Sequence, residues 1–299
     1  MPLRFATDAS ERQWQTSLQW HDTMRAMKLY RNQKCWWVEE GGIYSPLVDF
    51  SADRWLGAED PIGHLAHHLG AVKTSLRDLD AVVAPIQSQE VWAAGVTYLR
   101  SKAARMEESD FSASAYDKVY EAARPELFFK ATPNRCVGPG GALKLRDDSK
   151  WMVPEPELTL VISANQKLVG FTIGNDLSCR DIEGENLLYL PQAKVWDQCC
   201  GLGPCILLAD NPEAIRESDI SVEIVRDKKS VFSGSTSIGR IKRSFEELIG
   251  YLFRNQSFPN GVFLLTGTGI VPPDDFTLVR GDEVRITVET IGMLSNFCQ

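Results

Sequence analysis

Hydrophobic and polar positions alternate most regularly between residues 151 and 194, WMVPEPELTLVISANQKLVGFTIGNDLSCRDIEGENLLYLPQAK. Residues i and i+2 of a strand share a face, so Glu155 and Glu157 point the same way at the head of this run. The chain reverses at Asn165-Gln166 and returns through LVGFTIGND. A two-residue loop there pairs Ala164 with Lys167. It sets Leu158 opposite Ile173, Leu160 opposite Phe171 and Ile162 opposite Val169, which makes one face apolar. The other, non-core face carries Thr159 across from Thr172, Glu157 across from Gly174 and Glu155 across from Asp176. A slip of one residue would set polar against apolar throughout, so the pattern itself specifies the register.

The remaining elements read more simply. A weakly patterned helix is expected over residues 10–29, then a hairpin around Gly41-Gly42 and a short helix in PIGHLAHHLG. Pro85 and the polar run Gln87-Ser88-Gln89-Glu90 read as a joint between two parts. VWAAGVTY follows as a strand. Residues 101–124 are helix-forming, polar and broken near Ser109, which suits a mobile cover over a site. RPELFFK is a strand, DISVEIVRDKKSVFSGSTS two strands around Asp227-Lys228-Lys229, and residues 244–254 a core-facing helix. GVFLLTGTGIVPP is a buried strand, and GDEVRITVETIGMLSN a final strand and turn. Strict alternation of strand and helix is missing, so the fold class is α+β and β-rich. A small N-terminal domain, residues 1–86, precedes a catalytic domain, residues 87–299.

Composition narrows the function classes. At 299 residues, 43% hydrophobic and 24% charged, the chain is an ordinary globular protein. Its net charge of −8 argues against nucleic-acid and anionic-membrane partners. No apolar run approaches the roughly 20 residues that span a bilayer, and MPLRFATDAS is no secretory signal. Seven cysteines without zinc-type spacing fit a reducing, cytoplasmic setting.

The chemistry sits at the open end of the central hairpin. Three carboxylates converging there repel one another and move toward protonation unless a cation sits between them. Oxygen donors suit a hard divalent ion: Mg²⁺, Mn²⁺ or Ca²⁺. A solvated charged rim is the plainer reading of Glu-x-Glu, but the opposed Asp176 and the apolar back face outweigh it. His64 and His68 lie one helical turn apart without a third ligand, which fits surface or packing roles.

Several separate strings, in order, carry a resemblance. PEPEL, NDLSCRD, the Gly-Pro pair after them and TGTGIVP are similar to the signature of the fumarylacetoacetate hydrolase family. YDKVYEAARPELFFKATPNRCVG and NLLYLPQAKVWDQCCGLGP resemble its branch of 2-keto-3-deoxy-D-arabinonate dehydratases. The likeness runs over residues 90–296. It implies a mixed β-roll catalytic domain with magnesium on Glu155, Glu157 and Asp176, the three residues reached from register. It implies catalytic roles for Glu126 and Lys194, and substrate contacts at Arg180 and Thr268, with Lys130 and Tyr98 as further candidates. Arg180 pairing only with Asp181, a surface Lys194 and a strand-capping Thr268 are the plainer alternatives. A homodimer or homotetramer is also implied.

The expected activity is a metal-dependent hydro-lyase reaction on a small 2-keto acid. A 2-keto-3-deoxy pentonate, of D-arabinonate or D-xylonate type, would become 2-oxoglutarate semialdehyde (2,5-dioxopentanoate). No histidine follows His68, so the base must be a carboxylate, a lysine or water activated by the ion. Carbon–carbon bond hydrolysis of a 2,4-diketo acid is the enzymatic alternative. A metal-binding or ligand-sensing protein without catalysis is the alternative from another class.

Overall fold

A computed structural model describes residues 27–69, 81–98, 118–209 and 211–299. Most of the helix expected over 10–29 and most of the cover segment over 101–124 lie outside the described residues. Where the first expectation can be compared, it fails: Lys28–Arg31 is a strand, β1. Strands β2 (Trp36–Glu40) and β3 (Ile43–Leu47) form the expected hairpin, with Gly41 and Gly42 both at positive φ. A two-residue turn of that kind matches strand twist and favours glycine.

The later strands, in chain order, are β4 (Glu90–Gly95), β5 (Glu126–Ala131), β6 (Cys136–Val137), β7 (Ala142–Leu143), β8 (Met152–Val153) and β9 (Pro156–Ile162). They continue with β10 (Leu168–Asp176), β11 (Ser178–Cys179), β12 (Cys200–Leu208), β13 (Asp219–Arg226) and β14 (Lys229–Ser237). The last are β15 (Val262–Leu265), β16 (Glu283–Val288) and β17 (Gly292–Cys298). The main sheet runs β3-β2-β1-β12-β10-β9-β15-β4-β5, with β6 also alongside β12. A second sheet runs β14-β13-β16-β17-β7. The C-terminal stretch thus forms two paired strands where one strand and a turn were expected.

The central hairpin keeps the expected register over Leu158↔Ile173, Thr159↔Thr172, Leu160↔Phe171 and Glu157↔Gly174. Its loop differs. Ser163 N donates to Lys167 O at 2.9 Å, and Gln166 takes φ +62°, so three residues turn the chain. The extra residue is absorbed by a bulge: Ile162 pairs with Leu168, and Val169 drops out of register. The side chain expected opposite Ile162 therefore belongs to the other face. Gly203-Pro204, read as a turn, lies inside β12, close to where its pairing with β10 shifts.

Both faces of β9 and β10 are covered. On one, Leu158, Leu160 and Phe171 pack with Phe245 and Leu248 of the helix Phe245–Leu252 and with the second sheet. Ser244 caps that helix, its Oγ accepting from Glu247 N. The other face, expected to be non-core, is also dry. Val161, Val169 and Phe263 pack there with Trp36, Trp55 and Leu56 from the N-terminal part. Thr159 and Thr172 on that face are both fully buried.

Residues on the two sides of position 86 share one sheet and one apolar cluster. The polar run between them is a fastening. Gln87 Oε1 accepts from Ala52 N at the start of the helix Ala52–Gly57, supplementing the Ser51 cap. Gln89, 1% exposed, donates to Asp53 Oδ1 at 2.7 Å and to Asn260 O at 3.0 Å. Replacing Gln89 with leucine removes its bonds to Asp53 and Asn260 and leaves Gln87 N without the Gln89 oxygen it donates to. It is expected to cost about 1–3 kcal/mol, read as a lower urea midpoint in a single unfolding transition.

Candidate metal centre

The pairing of the central hairpin continues past its own end, which is how its acidic residues are held. Asp176 N donates to Glu155 O at 3.0 Å, and Asn175 Oδ1 accepts from Glu155 N at 3.2 Å. Beyond Asp176, β11 pairs with β8, and Arg180 N donates to Trp151 O at 2.8 Å. Both flanks of the two acidic segments are thus tied to each other by backbone. Glu157 projects from β9, and Gly267 N donates to its Oε2 at 2.5 Å. Gly267 sits at φ +88°, and a Cβ there would lie 3.0 Å from Ala94 O and closer to Thr97 Oγ1. Only glycine meets both demands.

Glu155, Glu157 and Asp176 are 3%, 2% and 1% exposed, and each offers an oxygen within 4.8 Å of the others'. They are the only such group of three or more ligating side chains among the described residues. Burial pushes the Glu157 carboxyl well above the usual carboxylate range, and Asp176 and Glu155 push it further. A site of buried oxygens, one of them driven to hold a proton, fits a divalent cation of the magnesium or calcium kind.

Positive side chains share the pocket. Lys194, the last residue of the helix Leu190–Lys194, is fully buried. Its Nζ lies 2.7 Å from Glu155 Oε2, 3.2 Å from Asp176 Oδ2 and 2.6 Å from Ser178 Oγ. It is no surface lysine. Lys130 Nζ on β5 lies 2.5 Å from Asp176 Oδ1 and donates to Leu177 O and Lys194 O. Burial alone would lower the Lys130 pKa, but Asp176 together with Cys199 and Cys200 outweighs it and the net direction is upward. Arg180 NH2 reaches Glu155 Oε1 at 2.8 Å, whereas Asp181 accepts from Ser149 Oγ and Lys150 N. The plain Arg180–Asp181 pair does not form among these bonds.

A narrow cleft opens onto the three carboxylates, lined by Gly95, Phe128, Arg180, Gly267 and Thr268 among others. Thr268 Oγ1 donates to Ile270 O at 3.3 Å and accepts from Ile270 N at 3.2 Å. Glu126 lies on β5 across from Gly95, and its Oε2 is buried with no hydrogen-bond partner among the described residues. Tyr98 is 3% exposed and would be met by any Cβ on Gly269; burial first and Glu157 second raise its pKa. Ser178 and Asn175, which hold Lys194 and Glu155, were not singled out from sequence. Their mark is position alone: each is one or two residues from Asp176 in NDLSCRD.

Known proteins share this chain's sequence pattern and fold. The model of the fumarylacetoacetate (FAA) hydrolase C-terminal family matches residues 90–298. A probable 2-keto-3-deoxyxylonate dehydratase of Haloferax volcanii is 49% identical over 246 residues, 82% of each chain. The 2-dehydro-3-deoxy-D-arabinonate dehydratase of Saccharolobus solfataricus is 45% identical over 216 residues, 71% of this chain and 72% of that one. A solved 2-keto-3-deoxy-D-arabinonate dehydratase, complexed with magnesium and 2,5-dioxopentanoate, superimposes with a TM-score of 0.78 at 34% identity. That match covers 91% of this chain and 98% of the other.

Two outcomes follow from the charge balance. A raised folded-state pKa at Glu157 gives stability that is full below the unfolded value, near 4.5, and lost as pH rises through the folded one. The melting temperature gained on adding Mg²⁺ is therefore expected to grow as pH rises from 5 to 8, with proton release on binding seen by calorimetry in buffers of different ionisation enthalpy. Lys194→Met leaves buried carboxylates less compensated. It is expected to destabilise the metal-free protein by about 3–5 kcal/mol, with a larger Mg²⁺-induced gain than wild type in the same thermal scan.

Proposed function

The chain belongs to the fumarylacetoacetate hydrolase family, and we propose that it is a metal-dependent dehydratase, a carbon–oxygen lyase of 2-keto-3-deoxy sugar acids. The substrate class is a 2-keto-3-deoxy pentonate of D-arabinonate or D-xylonate type, and the product 2,5-dioxopentanoate. The observation that carries the reading is the buried oxygen triad with Lys194 against it and the unpartnered Glu126 oxygen beside its cleft.

Glu155, Glu157 and Asp176 would hold Mg²⁺, and the same oxygen set accepts Mn²⁺ or Ca²⁺. When bound, the ion polarises the 2-oxo group and stabilises charge developing on its oxygen. The chain's own residues then move protons. Glu126, a carboxylate with an uncommitted oxygen, is the ready base for the C3 proton. Lys194, held between two carboxylates, is the ready acid for the departing C4 hydroxyl, which leaves as water. The unsaturated keto acid loses a C5 proton, regains one at C3 and tautomerises to the aldehyde.

Arg180 and Thr268, both on the cleft, are assigned to the substrate carboxylate. Lys130, considered as a substrate contact, is better placed as support, because its ammonium is committed to Asp176 and two carbonyls. Tyr98 shapes the wall behind Gly269. Seven free thiols fit a reducing compartment, and Met293 and Phe297, half exposed on the second sheet, suit contact between copies in a homo-oligomer.

The test is a panel of 2-keto-3-deoxy pentonates and hexonates, with and without EDTA, followed for aldehyde. Pentonate consumption abolished by EDTA is expected. Pyruvate released from a 2,4-diketo acid, with no aldehyde from any sugar acid, would favour the hydrolase reading. Glu126→Gln is expected to lower kcat by about 10²–10⁴-fold while Mn²⁺ still binds.

A further inference from the structure

We propose that Gly95 is a positioning residue for this reaction: the lack of a side chain there lets the Glu126 carboxylate lie against the end of β4, over a residue that lines the cleft. The inference rests on reading Glu126 as the proton-transfer group. Gly95 and Glu126 are cross-strand partners at the end of the β4–β5 pair. A Cβ built on Gly95 would stand 2.6 Å from Glu126 Cδ, 3.3 Å from Cγ and nearer still to Oε2. These are the three nearest atoms, and all belong to Glu126. Carbon atoms in contact do not approach within about 3.5 Å, so the carboxylate must move.

Nothing in the backbone asks for glycine at this position. Gly95 is not among the residues at positive φ, and a glycine in a strand weakens it. Its worth lies instead in what rests on it. Gly95 is buried and lines the cleft together with Glu155, Glu157 and Asp176. The carboxylate oxygen lying over it is desolvated and has no hydrogen-bond partner among the described residues, a costly state unless a substrate proton meets it there. A side chain at position 95 displaces the far end of a flexible neighbour, which the fold tolerates. Proton transfer does not, because a misplacement of about 1 Å can cost 10²-fold in rate.

The experiment compares Gly95→Ala, Glu126→Gln and the double variant with wild type, all loaded with Mg²⁺. Gly95→Ala is expected to lower kcat about 10²-fold, with KM within about twofold of wild type. Its urea midpoint should not fall, and its Mn²⁺ affinity, read by paramagnetic resonance, should be unchanged. The double variant should be no slower than Glu126→Gln alone, because both changes remove the same contribution. A wild-type kcat in Gly95→Ala beside a crippled Glu126→Gln overturns this inference and leaves the parent reading standing. So does a loss carried by KM, or one that multiplies with Glu126→Gln. Wild-type turnover by Glu126→Gln sinks the parent reading instead, and this one with it.

Discussion

Repulsion among Glu155, Glu157 and Asp176, each with an oxygen within 4.8 Å of the others', governs the arrangement of the charged groups near them. Taking charges out of water costs several kcal/mol per ion, and only opposite charge in good geometry offsets it. The protein supplies that charge from three directions. Lys194 arrives from a helix end, Lys130 from β5 and Arg180 from the segment after β11. Glu155 and Asp176 receive these partners directly, while Glu157 receives the Gly267 amide and is pushed by burial toward keeping a proton. The pocket is balanced but not neutral in all its parts, and its oxygen set fits a divalent ion.

The fold answers this constraint by making the acidic segments hard to separate. Glu155 and Asp176 are joined through backbone, and β8 and β11 extend the join on both sides. The same connection delivers Ser178, whose hydroxyl donates to Asp176 O and accepts from Lys194. Position along the chain and position in the pocket are therefore one problem, solved by a hairpin that does not stop where its ladder stops.

Much of this was legible in the sequence. Period-two alternation from Glu157 to Gly174 set the register, and register placed Glu155, Glu157 and Asp176 together. What could not be read had physical causes. The loop grew by one residue because Gln166 adopts positive φ, a conformation that the Asn-Gln pair does not advertise. The face of Thr159 and Thr172 looks wet in sequence. It is dry because chain from far upstream, with Trp55 and Leu56, covers it. Gln87 and Gln89 read as part of a joint, since nothing local reveals that Ala52, Asp53 and Asn260 wait for their hydrogen bonds. Lys130 was legible as a site residue but not as one whose bonds are spent within the wall.

Strand β12 stands between the acidic hairpin and the N-terminal strands, pairing with β10 on one side and with β1 on the other. A chain trimmed to begin at β4 would keep every group proposed to hold the cation, yet leave the end of β12, Ile206 to Leu208, without its partner strand. Such a rim is a template for other chains. Strands β1 to β3 thus act as a guard against self-association of the part that carries the chemistry, and a minimal version would need a substitute cover for that seam.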